Sequence, residues 1–584
     1  MPDKVIYVNI KAMKRLFFIL IITVLTVLGS LYLLRPITDP DFFWHISTGR
    51  WILENKALPS EDPFSYTTPR LLSDREFFIL RSYWLSQVLY WLCYKLSGLN
   101  GIILLRVLLL SLLLVFIYKR IKVVEDPLLI SGLLIVFTVN LLSVYPMDRP
   151  QVWSFVFFAL LLLVLNIKRY TLLPPLMLLW SNMHGGYILG SVVIGVYIID
   201  EGIRYLRGKE IEKGLLIGGI CGILAGFINP STYQAFLQTI KMPSSMTGMT
   251  IEYMSTIKTF LKRGDLTMLF YWFFLLITSF EILRRTVKGG ISLKEIILFS
   301  GLGYFSFTQI RYVVFFLIWA MPFAVMFLNS LKHWLRYGLL TLLISGSIGL
   351  SLILQEYNNI KNIKNFSSEN WISSYYPEAG LRFIMNNNLK GNMYNFHDWG
   401  GYLIWRFYPE KKVFIDGRQL YEYLFMQSMS IDQAVREPVI MGMPFWKAIL
   451  KTYDINYMLI PAFDMLGNVS GLLGALIDDE EWIPVFFRGN SIIFVRNTKE
   501  NYPVIYRYGI PREFILDDII RQVEAMLKRS PKHISLYIAL GDLNVKAKRY
   551  EKAMEIYEKG LELQPFNSIL KKRKEDLRIL MLHK

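Results

Sequence analysis

The segment Thr38–His45 carries two carboxylates, an imidazole and three aromatic rings within eight residues. It follows an apolar run over residues 16–34, so it lies where the chain would leave a membrane. A carboxylate at such a position can act as a general base and take a proton from an incoming hydroxyl group. We therefore predict Asp41 and Asp39 as catalytic residues and His45 as a substrate-binding residue. The alternative for Asp39 is a helix cap, because the pattern predicts that a helix begins just after it.

Four more polar residues stand beside turns that end apolar runs, namely Asp148, Arg149, His184 and Arg311. An ionised side chain in hydrocarbon costs roughly 2.5–3.5 kcal/mol, so such groups favour water, one another or a ligand. Guanidinium groups bind phosphate through paired hydrogen bonds. We predict that these four residues bind the substrate, with the basic ones on an anionic group. The alternatives are plain solvent exposure and, for Arg149, a salt bridge to Asp148. Arg106, inside an apolar run, is expected to extend outward to the membrane surface.

Two glycine-containing motifs in the second half of the chain each place an acid after a strand-like run. They are Asp398-Trp-Gly-Gly-Tyr402 and Phe414-Ile-Asp-Gly-Arg418. Residues at the ends of strands are favoured for ligand binding in α/β sheets. We therefore predict Asp398, Asp416 and Arg418 as substrate-binding residues. The alternative is turn and cap chemistry, with glycine supplying the backbone freedom.

The composition favours a membrane protein. The chain has 584 residues, of which 53% are hydrophobic, and a formal net charge of +18. Many of its Lys and Arg residues fall in short clusters between apolar runs, as in cytoplasmic loops, and not on one soluble face. This distribution argues against nucleic-acid binding. With Cys93 and Cys221 as its two cysteines, the chain has no disulfide framework and no zinc-ligand set.

Apolar runs of about 17–25 residues predict about 11 transmembrane helices. The runs lie at about 16–34, 101–118, 127–145, 151–167, 171–181, 187–203, 214–229, 266–283, 292–308, 313–329 and 337–355. We expect the chain to lie in the inner membrane. The positive-inside rule then predicts that its N-terminus is cytoplasmic. With an odd number of helices, the C-terminal domains are expected to be extracytoplasmic.

The character of the sequence changes twice, which predicts three domains. Residues 1–356 would form the α-helical polytopic membrane domain. Residues 357–510 alternate strand-like and helical patterns and predict a small α/β domain, with strands at 393–396, 412–415, 455–460 and 491–495. Residues 511–584 are helical and predict a tetratricopeptide repeat region. The matching positions of this 34-residue repeat are Tyr537, Leu540, Gly541, Ala553, Tyr557 and Pro565.

These features together resemble the GT-C fold, a class of polytopic glycosyltransferases that use polyprenyl-phosphate-linked sugars. The resemblance lies in the acidic motif after the first apolar run, the interfacial stretch that follows it and the globular domain after the last run. Asp148-Arg-Pro150, Asn182-Met-His-Gly-Gly186 and the two glycine motifs also look like those of a bacterial membrane-protein family that often carries tetratricopeptide repeats. The resemblance implies that Asp39 or Asp41 is the catalytic base. It also implies that the basic residues hold the lipid phosphate.

We therefore expect a membrane glycosyltransferase that moves a sugar from a polyprenyl-phosphate donor to an acceptor at the outer face. Its expected partners are the lipid donor, the membrane and a protein or glycan acceptor recruited by the repeat region, which presents a concave surface. A divalent cation at the acidic pair is a possible cofactor. The alternative is a non-enzymatic assembly or export component of an envelope polysaccharide pathway, which would act through its repeat region.

Overall fold

The computed structural model describes residues 36–69, 71–122, 126–144, 148–240, 251–263, 265–357 and 375–582. The predicted apolar run at 16–34 lies outside this part of the chain. The chain divides into two compact units. Among the described residues, unit 1 comprises 52–54 and those within 80–355, and unit 2 comprises 36–51, those within 55–79, 356–357 and 375–582. Much of the loop that carries the opening acidic motif therefore folds with the C-terminal part of the chain.

Unit 1 is a bundle of helices. Helices α1 (Asp41–Asn55) and α2 (Asp74–Arg81) lie mostly in unit 2 and precede it in the chain. The helices of unit 1 are α3 (Trp84–Ile121), α4 (Pro127–Val144), α5 (Gln151–Asn166), α6 (Leu173–Met183), α7 (Tyr187–Leu206), α8 (Lys213–Ala225), α9 (Gln234–Ile240), α10 (Thr256–Arg263), α11 (Thr267–Val287), α12 (Leu293–Thr308), α13 (Val313–Ser330) and α14 (His333–Tyr357). Helices α5 and α13 are apolar on almost every face and are buried against their neighbours, as expected for central helices of a bundle.

The prediction of a GT-C-like domain with about 11 transmembrane helices is wrong. The structure is 69% helical and has a small sheet. Within the described residues, three helical stretches are long and apolar enough to cross a membrane. They are Asp74–Ile121, Thr267–Val287 and Ile310–Ser330. This finding is compatible with a membrane protein by length and composition alone.

The error arises because an apolar run in the sequence does not show where a helix ends. Helix α5 has 16 residues, and a helix rises about 1.5 Å per residue, which gives about 24 Å. The hydrocarbon core of a bilayer is about 30 Å thick. Helix α6 has only 11 residues, because the chain turns at both of its ends. Helix α7 is longer, but Asp200, Glu201 and Arg204 lie in its last two turns.

Unit 2 is built around a four-stranded sheet with the order β1-β2-β4-β3. The strands are β1 (Asn392–Asn395), β2 (Ile455–Pro461), β3 (Trp482–Arg488) and β4 (Ser491–Arg496). Strands β1 and β2 are parallel, and the other two neighbouring pairs are antiparallel. The helices around the sheet are α15 (Glu378–Asn386), α16 (Gly400–Phe407), α17 (Glu422–Asp432), α18 (Phe445–Thr452), α19 (Gly471–Ile477) and α20 (Tyr502–Tyr508). The sequence pattern missed β3 but predicted the positions of β1, β2 and β4.

The remaining predicted strand, at 412–415, pairs with the loop near residue 65 instead of joining the sheet. Ser65 and Val413 form a parallel bridge, and Val413 donates a backbone hydrogen bond of 2.9 Å to the carbonyl of Phe64. The buried side chain of Asn395 accepts from the backbone of Phe414 at 2.8 Å and donates to the carbonyl of Ile415 at 2.8 Å. One asparagine thus joins the end of β1 to this segment.

The C-terminal helices are α21 (Arg512–Arg529), α22 (Ile534–Lys546), α23 (Tyr550–Leu563) and α24 (Ser568–Leu582). A Cβ atom at Gly541 would lie 2.1 Å from the ring of Tyr557, so glycine lets α22 and α23 pack closely. Residues of α21 to α23 belong to the same hydrophobic core as the sheet. The helical pair occupies the residues for which the repeat was predicted, and it is continuous with the rest of unit 2.

Candidate functional site

Asp39 and Asp41 flank the start of α1 in unit 2. One carboxylate oxygen of Asp39 accepts from the backbone N–H of Asp41, the first residue of α1, at 3.0 Å, which satisfies one backbone donor at the start of the helix. Asp39 is buried. The carboxylate of Asp41 is partly exposed and accepts from the indole N–H of Trp44 at 3.1 Å. The burial of Asp39 and its hydrogen bond at the start of α1 favour a structural role for this residue and leave Asp41 as the better candidate base.

The three sequence motifs of unit 2 meet through their glycines. A Cβ atom at Gly417 would lie 2.0 Å from a carboxylate oxygen of Asp41. A Cβ atom at Gly401 would lie 2.3 Å from the carbonyl oxygen of Pro40, and one at Gly400 would lie 2.1 Å from that of Ile415. At such distances a side chain could be accommodated only if the neighbouring atoms moved. The glycines therefore let Asp41 and Pro40 approach the two motifs closely.

His397 lies in the same cluster. Its Nδ1 atom is 3.0 Å from a carboxylate oxygen of Asp398, and its Nε2 atom is 3.3 Å from the side-chain amide of Gln419. Burial alone would lower the pKa of His397. The hydrogen bond of Asp398 and the charges of Asp398, Asp41 and Asp416 outweigh burial and raise the pKa above its ordinary value.

Asp432 at the end of α17 adds a second titratable group to this region. Its carboxylate accepts from the hydroxyl of Tyr394 at 2.7 Å. Burial raises the pKa of Asp432 to about 7, against the lowering effects of Tyr394 and His397. A carboxyl group with a pKa near neutrality can both give and take a proton at physiological pH. Nothing in the sequence around Asp432 indicated this role, because its environment is formed by distant residues.

Asp416 and Arg418 form a buried ion network with Asp62. The Arg418 guanidinium donates to both oxygens of Asp62 at 2.7 and 3.1 Å and to both oxygens of Asp416 at 2.7 and 2.6 Å. Ser65 also donates to Asp416 at 3.1 Å. The three charged side chains are at most 4% exposed. This geometry supports a positioning role for the two predicted binding residues, since their polar atoms are directed at one another.

His45 is also buried in unit 2. It is 4% exposed, and its ring lies against that of Trp44 with 3.5 Å between the centroids. The prediction that it binds substrate stays a prediction.

The other predicted residues lie in unit 1, where Arg149 and Arg311 meet one short segment. The Arg149 guanidinium donates to the carboxylate of Glu252 at 2.6 Å. The Arg311 guanidinium donates to the hydroxyl of Tyr253 at 2.7 Å and lies 5.2 Å from the ring centre of Tyr312. Adjacent residues of the 3₁₀ helix Ile251–Tyr253 therefore contact both arginines. The sequence pattern had assigned no role to Glu252 or Tyr253.

His184 lies close to this cluster and is held in one orientation. Its Nδ1 atom accepts from the backbone N–H of Gly186 at 3.0 Å and lies 2.7 Å from the hydroxyl of Ser154. Burial, assisted by the charge of Arg311, lowers the pKa of His184 to about 3. His184 is therefore neutral at pH 7, with its proton on Nε2. It can donate one hydrogen bond to an anion but cannot neutralise it.

Asp148 is paired with Arg106 inside unit 1. The Arg106 guanidinium donates to the Asp148 carboxylate, and the two side chains are 1% and 0% exposed. The prediction that Arg106 extends outward to the membrane surface is wrong, because a buried carboxylate offers it a partner within the bundle. Arg149, for which a salt bridge to Asp148 was the alternative, pairs with Glu252.

An apolar groove lies between α4, α11 and α13 in unit 1. Its lining includes Phe137, Phe274, Val314 and Ile310. Ile310 directly precedes Arg311 in the chain. An apolar surface therefore lies next, along the backbone, to the guanidinium group of Arg311.

No protein-family model matches the chain, and no curated protein sequence matches it. Within the residues that the structure describes, no group of three or more His, Cys, Asp or Glu side chains could hold a metal ion.

Proposed function

We propose that the chain is a membrane glycosyltransferase that moves a sugar from a polyprenyl-phosphate donor to an acceptor, with Asp41 as the base. The observation that carries the proposal is the contact of Asp41 with Gly417 in a cluster that also holds His397 and Asp398. A partly exposed carboxylate, oriented by Trp44 and surrounded by titratable groups, is suited to proton transfer.

The proposed reaction is a displacement at the anomeric carbon of the donor sugar. The Asp41 carboxylate takes the proton of the acceptor hydroxyl. The acceptor oxygen then forms a bond to the anomeric carbon, while the bond from that carbon to the phosphate oxygen breaks. The bonding electron pair leaves with the phosphate, so the products are the glycosylated acceptor and polyprenyl phosphate.

The cluster in unit 1 supports a donor that combines a lipid tail with phosphate. Arg149 and Arg311 supply guanidinium groups for phosphate oxygens, and His184 supplies a neutral N–H donor. The groove beside Ile310 supplies an apolar surface for a hydrocarbon chain. These features support a binding site for a lipid phosphate within unit 1.

We further propose that the protein lies in the inner membrane with its N-terminus in the cytoplasm and unit 2 outside. The distribution of Lys and Arg between apolar runs supports this orientation. A protein or glycan acceptor would be recruited by α21 to α24, whose packing as stacked helices is typical of peptide-binding repeats. A divalent cation at the acidic pair of Asp39 and Asp41 stays part of the proposal.

A transfer assay with purified protein tests the proposal. Radiolabelled prenyl-phosphate sugars would be offered with cell-envelope acceptors, and product would be measured. Loss of a general base should lower transfer by about 10²–10⁴-fold in Asp41→Asn. Asp454→Asn is the matched control, because this carboxylate is 90% exposed and asparagine tolerates its positive φ of 47°. No transfer with any donor, or full activity in a double Asp39→Asn, Asp41→Asn variant, would refute the proposal.

A further inference from the structure

His397 is the least expected member of the cluster in unit 2, because it is an imidazole among acids. Its side chain is 16% exposed, and the edge of its ring faces Phe425 at 5.2 Å. Asp398 lies on its own 3₁₀ helix, Asp41 on α1 and Asp432 on α17, while Asp416 and Arg418 lie on the loop that follows Ile415. Acids from four elements thus surround one imidazole ring.

Both ring nitrogens of His397 have a fixed neighbour. Asp398 accepts from Nδ1, and Gln419 faces Nε2. The oxygen and nitrogen of an amide are equivalent in shape, so Gln419 can accept from a protonated Nε2 by rotation of its amide. The doubly protonated ring can therefore satisfy both of its N–H groups without moving.

The backbone holds Gln419 in place at a conformational cost. Gln419 has a φ of 46°, which is unfavourable for a residue other than glycine. The Arg75 guanidinium donates to the carbonyl of Gln419 at 3.1 Å and to that of Leu420 at 2.8 Å. The same loop brings Gly417 against Asp41. Strain maintained by dedicated hydrogen bonds next to a proposed base is typical of a functional position.

We propose that His397 is a positioning residue whose imidazolium, held by Asp398 and Gln419, keeps the carboxylate of Asp41 ionised and ready to accept a proton. This inference rests on the proposed function, because it concerns the ionisation of Asp41, the proposed base. A positive charge close to a carboxylate favours its ionised form. Without that charge, Asp41 should take up a proton at a higher pH than in the parent. A protonated Asp41 cannot act as a base, so activity should be lost at a higher pH as the solution is acidified.

The pH profile of kcat/KM tests the inference. His397→Gln keeps hydrogen-bonding capacity but removes the charge, and it should move the acidic limb upward by about one pH unit. The rate on the alkaline plateau should stay within a few-fold of the parent, and His397→Lys should restore the parent profile. A uniform loss of rate at every pH, with the limb unmoved, would show a merely structural role and overturn the inference.

A second readout does not depend on transfer activity. The chain has six histidines, so ¹³C-labelled histidine gives few signals, and His397→Gln assigns the one in question. Because coupling between two titrating groups is reciprocal, Asp41→Asn should lower the pKa of His397 by about one unit. Asp454→Asn should leave it unchanged. An unchanged His397 pKa in Asp41→Asn would overturn the inference, whereas a protein that shows the coupling but transfers no sugar would contradict only the proposed function.

Discussion

The buried network of Arg418 makes a strong prediction about stability. In Arg418→Ala, the carboxylates of Asp62 and Asp416 lose their common cation while they stay shielded from water, since their side chains are 1% and 4% exposed. Removal of one partner from a buried ion pair typically costs about 3–5 kcal/mol. Two carboxylates are stranded here, so we expect a loss of about 4–5 kcal/mol in the free energy of unfolding of unit 2.

A control variant separates the loss of unfolding free energy in Arg418→Ala from the general effect of removing an arginine. Arg382→Ala is the matched control, because Arg382 is 66% exposed and forms an (i, i+4) pair with Glu378 on α15. Such a pair contributes about 0.3–0.5 kcal/mol. For a unit of this size, about 4 kcal/mol corresponds to a fall of roughly 8–16 °C in Tm. Chemical and thermal unfolding of the detergent-solubilised protein, followed by fluorescence and circular dichroism, would measure both variants.

The same network determines whether the free energy of unfolding rises or falls as the pH is lowered. Burial alone would raise the pKa of Asp416, but Arg418 outweighs burial and lowers it below its ordinary value. A lowered folded-state pKa contributes stability above the unfolded-state pKa, and that contribution is lost as the pH falls through the folded-state pKa. The parent should therefore lose stability below about pH 4. Equal unfolding free energies for Arg418→Ala and Arg382→Ala would refute the assignment of the network as stabilising.

Three further substitutions test the two units separately. Gly417→Ala should displace the carboxylate of the proposed base, because the new Cβ would lie 2.0 Å from it; we expect at least a tenfold fall in kcat/KM, measured by sugar transfer. Glu252→Gln should weaken the ion pair of Glu252 with Arg149 and tighten binding of a short prenyl phosphate by roughly two- to five-fold, the worth of a partly exposed pair. Calorimetry would measure this against Glu210→Gln, in the exposed loop after α7. Arg106→Leu should lower the unfolding free energy of unit 1 by about 3–5 kcal/mol, measured by thermal unfolding; an unchanged Tm would contradict the buried pair.

The sequence indicated which short motifs carry chemistry but not which partners they have. Asp41, Asp398 and Asp416 stand out because acids next to glycine and proline interrupt apolar patterns. His397 immediately precedes one of these motifs and could have been included on that ground. Asp432 and Glu252 could not, because a single acid on a helix has no local signal. Their environments are made by residues far away in the chain.

The limits of periodicity explain the error in the membrane part. An apolar run reports burial, in lipid or in protein, and does not distinguish the two. Helix α5 is apolar on every face because it is packed inside unit 1, and it is too short to cross a bilayer. The strand-like pattern at 412–415 failed for a similar reason. Its residues are buried, but Val413 pairs with the loop near Ser65 and not with the sheet.

The position of that loop explains why buried charges persist in unit 2. Asp62 and Arg418 are 356 residues apart in sequence, and closing a loop of that length costs on the order of 5 kcal/mol of chain entropy. Apolar packing could offset this cost, but it would not determine how the loop of Asp62 aligns with the loop of Arg418. A charge network satisfied by one alignment alone penalises every other alignment, because a slip would bury an unpaired ion. The register that places Arg418 on Asp62 is also the one that places Gly417 against Asp41. The ion network therefore acts on the proposed chemistry through geometry, without contacting a substrate.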